Sequence, residues 1–259
     1  MQKDLPFTYK PFETPNSVEE ALFGVLKGLI EEASPDHPYA VMLSGGSTPA
    51  GLYRRVAESG IRAGEGLYLL VSDERLVPLD SPDANRTMIA PMADAIGLPE
   101  ERLIMVEHEL SADAAAERYH QALTEINARG VSRSTALLGV GTDGHTASLF
   151  DLEAVTEPHT TLAEGVAEHA GFERVTATPE EILSYRRLIF FAAGEKKRAI
   201  IEAIAETAEN YPAAVLAGRH GNAELWTDQR IAELRPGSPG SGSRPNPPAG
   251  SHGYDGGES

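Results

Sequence analysis

Residues 139–150, GVGTDGHTASLF, place an aspartate, a glycine and a histidine in immediate succession, Asp143-Gly144-His145. An apolar, strand-like run (135–140) and Gly141 stand ahead of them. That order reads as strand, glycine turn and polar cluster at the strand's carboxyl end, the edge at which open α/β sheets bind ligands. An imidazole in such a place can serve as a base near neutral pH.

Three other strand ends carry complementary groups. The run 39–43 leads into Ser44-Gly45-Gly46-Ser47-Thr48-Pro49 and then a helix through Leu52, Tyr53 and Val56. Glycines that let backbone N–H groups approach, hydroxyls and a helix start are the layout of an anion site. A tight turn that needs positive φ has the same composition. The run 67–71 ends in Ser72-Asp73-Glu74-Arg75, which is either part of a binding edge or a solvated turn with a local ion pair. The run 188–193 ends in Gly194-Glu195-Lys196-Lys197, with Lys197 one turn into a helix. Converging, these groups make a site for an anionic, oxygen-rich ligand with one base in it.

The elements that must position them follow from hydrophobic periodicity. Ser17 and Glu20 have capping-box spacing, and Val18, Leu22, Val25, Leu26, Leu29 and Ile30 then recur at helical intervals to about residue 33. Runs 39–43, 67–71, 103–106, 135–140 and 188–193 lack alternation, as strands buried on both faces do. Helices are expected from Pro49, at the first helical position, through Val56, and over 86–96, 112–128 and 199–208. Strands are expected at 175–178, 213–217 and 223–226. Segment 153–171 gives mixed signals. The strand–helix alternation argues for a mostly parallel sheet covered on both faces. Residues 1–235 read as one domain. Residues 236–259, rich in Gly, Pro and Ser with almost nothing apolar to bury, read as a disordered tail.

Composition narrows the function. The 259 residues are 41% hydrophobic and 24% charged, ordinary values for a soluble protein. A formal net charge of −17 argues against nucleic acid and anionic membranes as partners. Without cysteine there is no disulfide, thiol catalysis or thiolate-bound zinc. The first twelve residues have no apolar core of a signal peptide and no run reaches membrane-spanning length, so a cytoplasmic protein is expected. The eight histidines show no paired ligand spacing, and no metal site is expected. Ser47 stands where a nucleophile elbow would place its serine, but Pro49 replaces the second glycine of G-x-S-x-G. Gly139-Val140-Gly141 begins like a dinucleotide fingerprint, without an acidic ribose partner after it.

These residues resemble the 6-phosphogluconolactonase family. Three blocks carry the resemblance: LSGGSTP (43–49), SDERLVP (72–78) with Asn85 after it, and GVGTDGHTASLF. RVTAT (174–178) and the G-x-x-K of 194–197 agree with it, and the order covers residues 5–235. The related glucosamine-6-phosphate deaminases carry Asp-Glu-Tyr where this chain has Asp73-Glu74-Arg75. They also read G-H-I-A-F-N-E where it has residues 144–150. Asp151, Ser72 and Arg198 depart from the lactonase pattern. The resemblance implies a three-layer α/β/α sandwich with a mostly parallel, Rossmann-like sheet. It implies hydrolysis of 6-phospho-D-glucono-1,5-lactone to 6-phosphogluconate in the oxidative pentose phosphate pathway, without metal or cofactor. His145 would deprotonate water and Asp143 would orient the imidazole. Arg75 would steady the oxyanion or hold the phosphate. Gly45, Gly46, Ser47 and Thr48 would cradle the phosphate, with Lys197 and Arg174 adding charge. Asp73, Glu74, Asn85 and Gly144 would complete the substrate site. The partner is then a small sugar-phosphate lactone, and the protein a monomer or weak homo-oligomer. A deaminase or isomerase on the same fold and a non-catalytic sugar-phosphate sensor are the competing readings.

Overall fold

The computed structural model describes residues 5–231; the expected tail at 236–259 lies outside them. The apolar runs become β1 (Thr8–Pro11), β2 (Tyr39–Leu43), β3 (Leu67–Val71), β5 (Leu103–Ile104), β6 (Ser132–Gly139), β9 (Arg187–Ala192) and β10 (Ala223–Thr227). They pair, all parallel, in the order β1-β10-β9-β6-β2-β3-β5. β4 (Asp73–Arg75), β7 (Ala163–His169) and β8 (Phe172–Ala177) make a separate antiparallel sheet in the order β4-β8-β7.

Successive residues of the central strands face opposite layers. Val41, Leu43, Leu137, Ile189 and Phe191 pack with α1 (Pro15–Glu31), α2 (Ser47–Glu58), α3 (Arg86–Ala95) and α4 (Ala112–Ala128). Met42, Ala136, Leu138, Leu188 and Phe190 pack on the other side. There they meet α5 (Glu153–Thr156), α6 (Pro179–Leu183), α7 (Arg198–Thr207) and α8 (Pro212–His220). A strand buried on both faces has no polar face, which is why these runs show no alternation. Each of the larger of these side chains, from Val to Phe, contributes about 1.5–3 kcal/mol by leaving water. The result is the expected three-layer sandwich.

The chain runs outward from β2 through β3 to β5, then returns to place β6 on the other flank of β2. The strand order therefore reverses between β2 and β6, and the crevice outside their carboxyl ends is where such sheets bind ligands.

Several local expectations are corrected. Thr14, not Ser17, caps α1; Ser17 is its N3 partner, and the two side chains each accept from the other's backbone N–H, at 3.1 and 3.0 Å. Gly46 is the N-cap of α2, so Pro49 falls later in the first turn, where a missing N–H leaves no intrahelical bond unmade. Residues 213–217 are not a strand but lie in α8, opened by Pro212 at its first position. Alanine-rich sequence behind an N1 proline favours helix. Segment 72–75 is more than a strand end: Ser72 N–H donates to the Leu43 carbonyl, and the Ser72 carbonyl accepts from Ala177 N–H. The chain thus steps from one sheet to the other.

Candidate active site

A cleft of about 320 Å³ opens over the carboxyl ends of β2 and β6. Gly45, Gly46, Thr48, Asp73, Arg75, Asn85, His145, Arg174 and Lys197 line it, together with Ser44, Gly139 to Thr142, Ala147 and Phe191. All the segments singled out by their chemistry meet there. Ser47 opens α2 at the same corner.

Short side chains tie these segments to one another. Ser44 Oγ accepts from Gly139 N–H at 3.1 Å, joining the turn after β2 to the end of β6. Asn85 Nδ2 donates to the Asp73 carbonyl at 2.8 Å, and its Oδ1 lies against Gly45. A methyl group on Gly45 would come within 1.7 Å of that oxygen. The Asp73 carboxylate accepts from the Ser72 hydroxyl (2.8 Å) and the Ser148 hydroxyl (2.7 Å). Thr146 donates from its hydroxyl to the Gly139 carbonyl at 3.0 Å. Between the two anchored hydroxyls, Ala147 is held at φ 49°, a sparsely populated conformation for a residue with a side chain.

His145 Nδ1 is 2.5 Å from Asp143 Oδ1, which also accepts from His145 N–H at 3.3 Å. A carboxylate can only accept, so Nδ1 carries a proton, and in the neutral ring the free lone pair is on Nε2. Partial burial pushes the Asp143 carboxyl up, but His145's charge and hydrogen bonds outweigh it and hold the group below its ordinary value. Phe150 stands 4.8 Å from the His145 ring and stacks on His169 at 3.7 Å.

Three cations and one carboxylate, Asp73, line the cleft. Arg75 and Arg174 are direct neighbours across β4 and β8. Arg75 Nη1 donates to the Asp83 carbonyl at 3.0 Å, and its guanidinium lies 5.3 Å from the Phe172 ring centre. Arg174 is 7% exposed, and its Nε has no hydrogen-bond partner. Burial and the charge of Arg75 lower its pKa, against the pull of Asp73. Lys197 Nζ donates to the Val140 carbonyl; burial lowers its pKa while Asp143 opposes. A buried donor without a partner beside a second guanidinium asks for an anion.

Of the expected site residues, Asp143 reaches the cleft only through His145, and Glu74 and Gly144 lie behind it. Gly144, at φ 89°, turns the backbone under His145; a side chain there would strike the Tyr211 ring at 2.5 Å. Glu74 is fully buried, and its carboxylate accepts backbone N–H groups instead of facing ligand space. Sequence reasoning missed Ser44, Ser148, Tyr211 and the Phe150–His169 stack as supports of the site. The two serines stand inside the motif blocks, but their partners are 95 and 75 residues away in the chain.

Among the described residues, no three His, Cys, Asp or Glu side chains are grouped so as to hold a metal ion. Nor is any of their helices long and apolar enough to cross a membrane.

The family model described as glucosamine-6-phosphate isomerases/6-phosphogluconolactonase matches residues 13–226. The 6-phosphogluconolactonase of Haemophilus influenzae is 31% identical over 213 residues, covering 77% of this chain and 88% of that one. The 6-phosphogluconolactonase structure from Trypanosoma brucei superposes with a TM-score of 0.69 at 26% identity, over 86% of this chain and 97% of that one. The Thermotoga maritima 6-phosphogluconolactonase structure superposes with a TM-score of 0.66 at 25% identity, over 85% and 96%. With its glycine turn, Asp-Glu-Arg strand and Asp-Gly-His turn gathered at one sheet edge, the chain belongs to the glucosamine-6-phosphate isomerase/6-phosphogluconolactonase family.

Proposed function

We propose that the protein hydrolyses 6-phospho-D-glucono-1,5-lactone to 6-phosphogluconate, as a metal- and cofactor-independent cytoplasmic enzyme with no nucleic-acid or membrane partner. It acts as a monomer or weak homo-oligomer. The observation that carries this reading is the Asp143–His145 pair set in a cleft with three cations, in a chain of net charge −17. A lactone is an activated ester, and its hydrolysis needs one base and stabilisation of the negative charge that forms.

His145 Nε2 takes a proton from water as the water oxygen bonds to C1. The carbonyl electrons move to oxygen, and the tetrahedral oxyanion is steadied by the cleft's cations and N–H groups. As it collapses, the bond from C1 to the ring oxygen breaks and the imidazolium returns its proton to that oxygen. The product acid then ionises. Oxyanion donors are commonly worth roughly 2.7–4 kcal/mol each. Gly45, Gly46, Ser47 and Thr48 supply the phosphate cradle, at a helix start that favours negative charge. Arg75, Arg174 and Lys197 divide the phosphate and the oxyanion between them.

Purified full-length protein should hydrolyse the phosphorylated lactone and release no ammonia from glucosamine 6-phosphate. His145→Ala should reduce kcat by about 10²–10⁴-fold with 6-phosphogluconate binding retained. Ammonia release without lactone hydrolysis overturns the reading in favour of a deaminase. Binding without turnover in the wild type overturns it in favour of a sensor.

A further inference from the structure

Glu74 is the most deeply buried carboxylate beside the cleft, at 0% exposure, and the reaction above makes no use of it. Its Oε1 accepts from Arg75 N–H (2.8 Å) and Asn85 N–H (2.7 Å), and its Oε2 from Arg86 N–H (2.8 Å). One side chain thus binds both ends of segment 75–86. The two cleft residues of that segment, Arg75 and Asn85, sit at those ends. Oε2 also stands 3.5 Å from His108 Nε2, and the His108 side chain is only 3% exposed. His108 Nδ1 is 2.7 Å from the Val77 carbonyl, which can only accept, so Nδ1 carries a proton. When the ring is neutral, Nε2 is a bare lone pair facing a buried carboxylate. When it is protonated, Nε2 donates toward Glu74 and the charge is compensated. A buried charge without a partner is costly, whereas a compensated one fixes geometry.

We infer that Glu74 and His108 are positioning residues: a buried ion pair that clasps segment 75–86 and so holds Arg75 and Asn85 at the cleft. The clasp is tight while the imidazole is protonated and slackens when it is not. The Glu74 carboxylate, 3.5 Å from Nε2, raises the His108 pKa, against the effect of burial. The clasp's stabilisation is therefore complete below the ordinary value of 6.5 and is lost as pH rises through the raised value. The charged groups facing the imidazole are Glu74 from β4 and Arg86 from the first turn of α3; the second opposes protonation. Glu107 and Glu109 flank it on its own segment, Glu107 paired with Arg118 of α4. Glu109 shares a surface groove with His108 and residues 76–79.

The kinetic consequence rests on the lactonase reading; the structural one does not. The test compares His108→Phe with the wild type in the full chain, by kcat/KM for the phosphorylated lactone from about pH 6 to about pH 9. In the ratio of the two, the substrate's own ionisation cancels. The variant should be roughly tenfold slower at the acid end, about 1.4 kcal/mol, and the ratio should approach one at the alkaline end. A role in packing alone gives a ratio that does not change with pH, and that result overturns the proposal. Hydrogen exchange at the Asn85 and Arg86 amides is the second reading. Protection should fall in the variant at the acid end of the range, and unaltered protection also overturns the clasp. If the wild type shows no lactone turnover, the functional reading fails and the exchange data alone judge the clasp. If His108→Phe does not fold, His108→Leu, which likewise cannot donate to Glu74, gives the same two readings.

Discussion

The Asn85 side-chain oxygen occupies the space where a side chain on Gly45 would have to stand. The glycine turn after β2 is therefore closed by a residue from the far end of the Asp-Glu-Arg segment, which is itself held by the Asp73 carbonyl. Gly45→Ala must displace Asn85 and with it the shape of the phosphate cradle. Overpacking of this kind costs about 1–3 kcal/mol. Thermal unfolding should show that loss, and kcat/KM for the phosphorylated lactone should fall roughly 10- to 100-fold. Combining it with Asn85→Ala, which vacates the space, should recover much of the stability and little of the activity. A Gly45→Ala protein with wild-type kinetics would show that the close approach has no bearing on function.

Asp143→Asn tests how far the imidazole depends on its neighbour. An amide can present its NH₂ to Nδ1 and stabilise the wrong tautomer, with the proton on Nε2. In a fully buried triad the equivalent change costs about 10⁴-fold in kcat. Asp143 has a side chain 56% exposed, so water can restore part of the interaction. The expected loss is roughly 10- to 10³-fold in kcat with KM nearly constant, smaller than that of His145→Ala. Equal losses for the two variants would make Asp143 an obligatory part of the base.

Acid stability should depend on a group far from the cleft. Glu224 on β10 is 9% exposed and accepts from Arg187 Nε (2.6 Å) and Trp226 Nε1 (2.9 Å), with Lys10 of β1 paired to it as well. Burial pushes the carboxyl up, but these partners more than reverse that and bring it down to about 2 from an ordinary 4.5. The unfolded chain takes up the proton first, so the stabilisation is complete above pH 4.5 and drains away as pH falls toward 2. Urea unfolding should show the wild-type midpoint dropping over that window. Glu224→Gln should have a lower midpoint at neutral pH and a shallower acid limb. Parallel acid limbs would remove Glu224 from the account.

The parts of the fold that were legible in sequence are those with one dominant physical signal. β2, β3 and β9 are continuous apolar runs because both faces are buried, and α4 repeats alanines and apolar residues at helical spacing. β7 was unreadable because AEGVAEH lies half-exposed in a small sheet, where little hydrophobic patterning is required. β1 was missed for a related reason: an edge strand of four residues carries too little pattern to stand out. Residues 213–217 were misread because a short apolar run fits either structure, and Pro212 was the cue that decided it. In the site, the reactive residues were visible because their types are costly to place at a strand end without use. The roles of Glu74 and Gly144 were not, because a carboxylate that accepts three N–H groups across an irregular loop and a glycine beneath a tyrosine ring leave no periodic or motif signal.

The hydrogen bonds from Gly139 to Ser44 and from Ser148 to Asp73 each close a loop of many tens of residues. Such contacts form only after the intervening chain has collapsed and its strands have paired. The cleft therefore depends on the same long-range pairing of β2 with β6 that builds the centre of the sheet. During refolding, recovery of turnover reports arrival at the native state rather than collapse, and no fragment ending before Ser148 contains all the ties that hold a catalytic geometry.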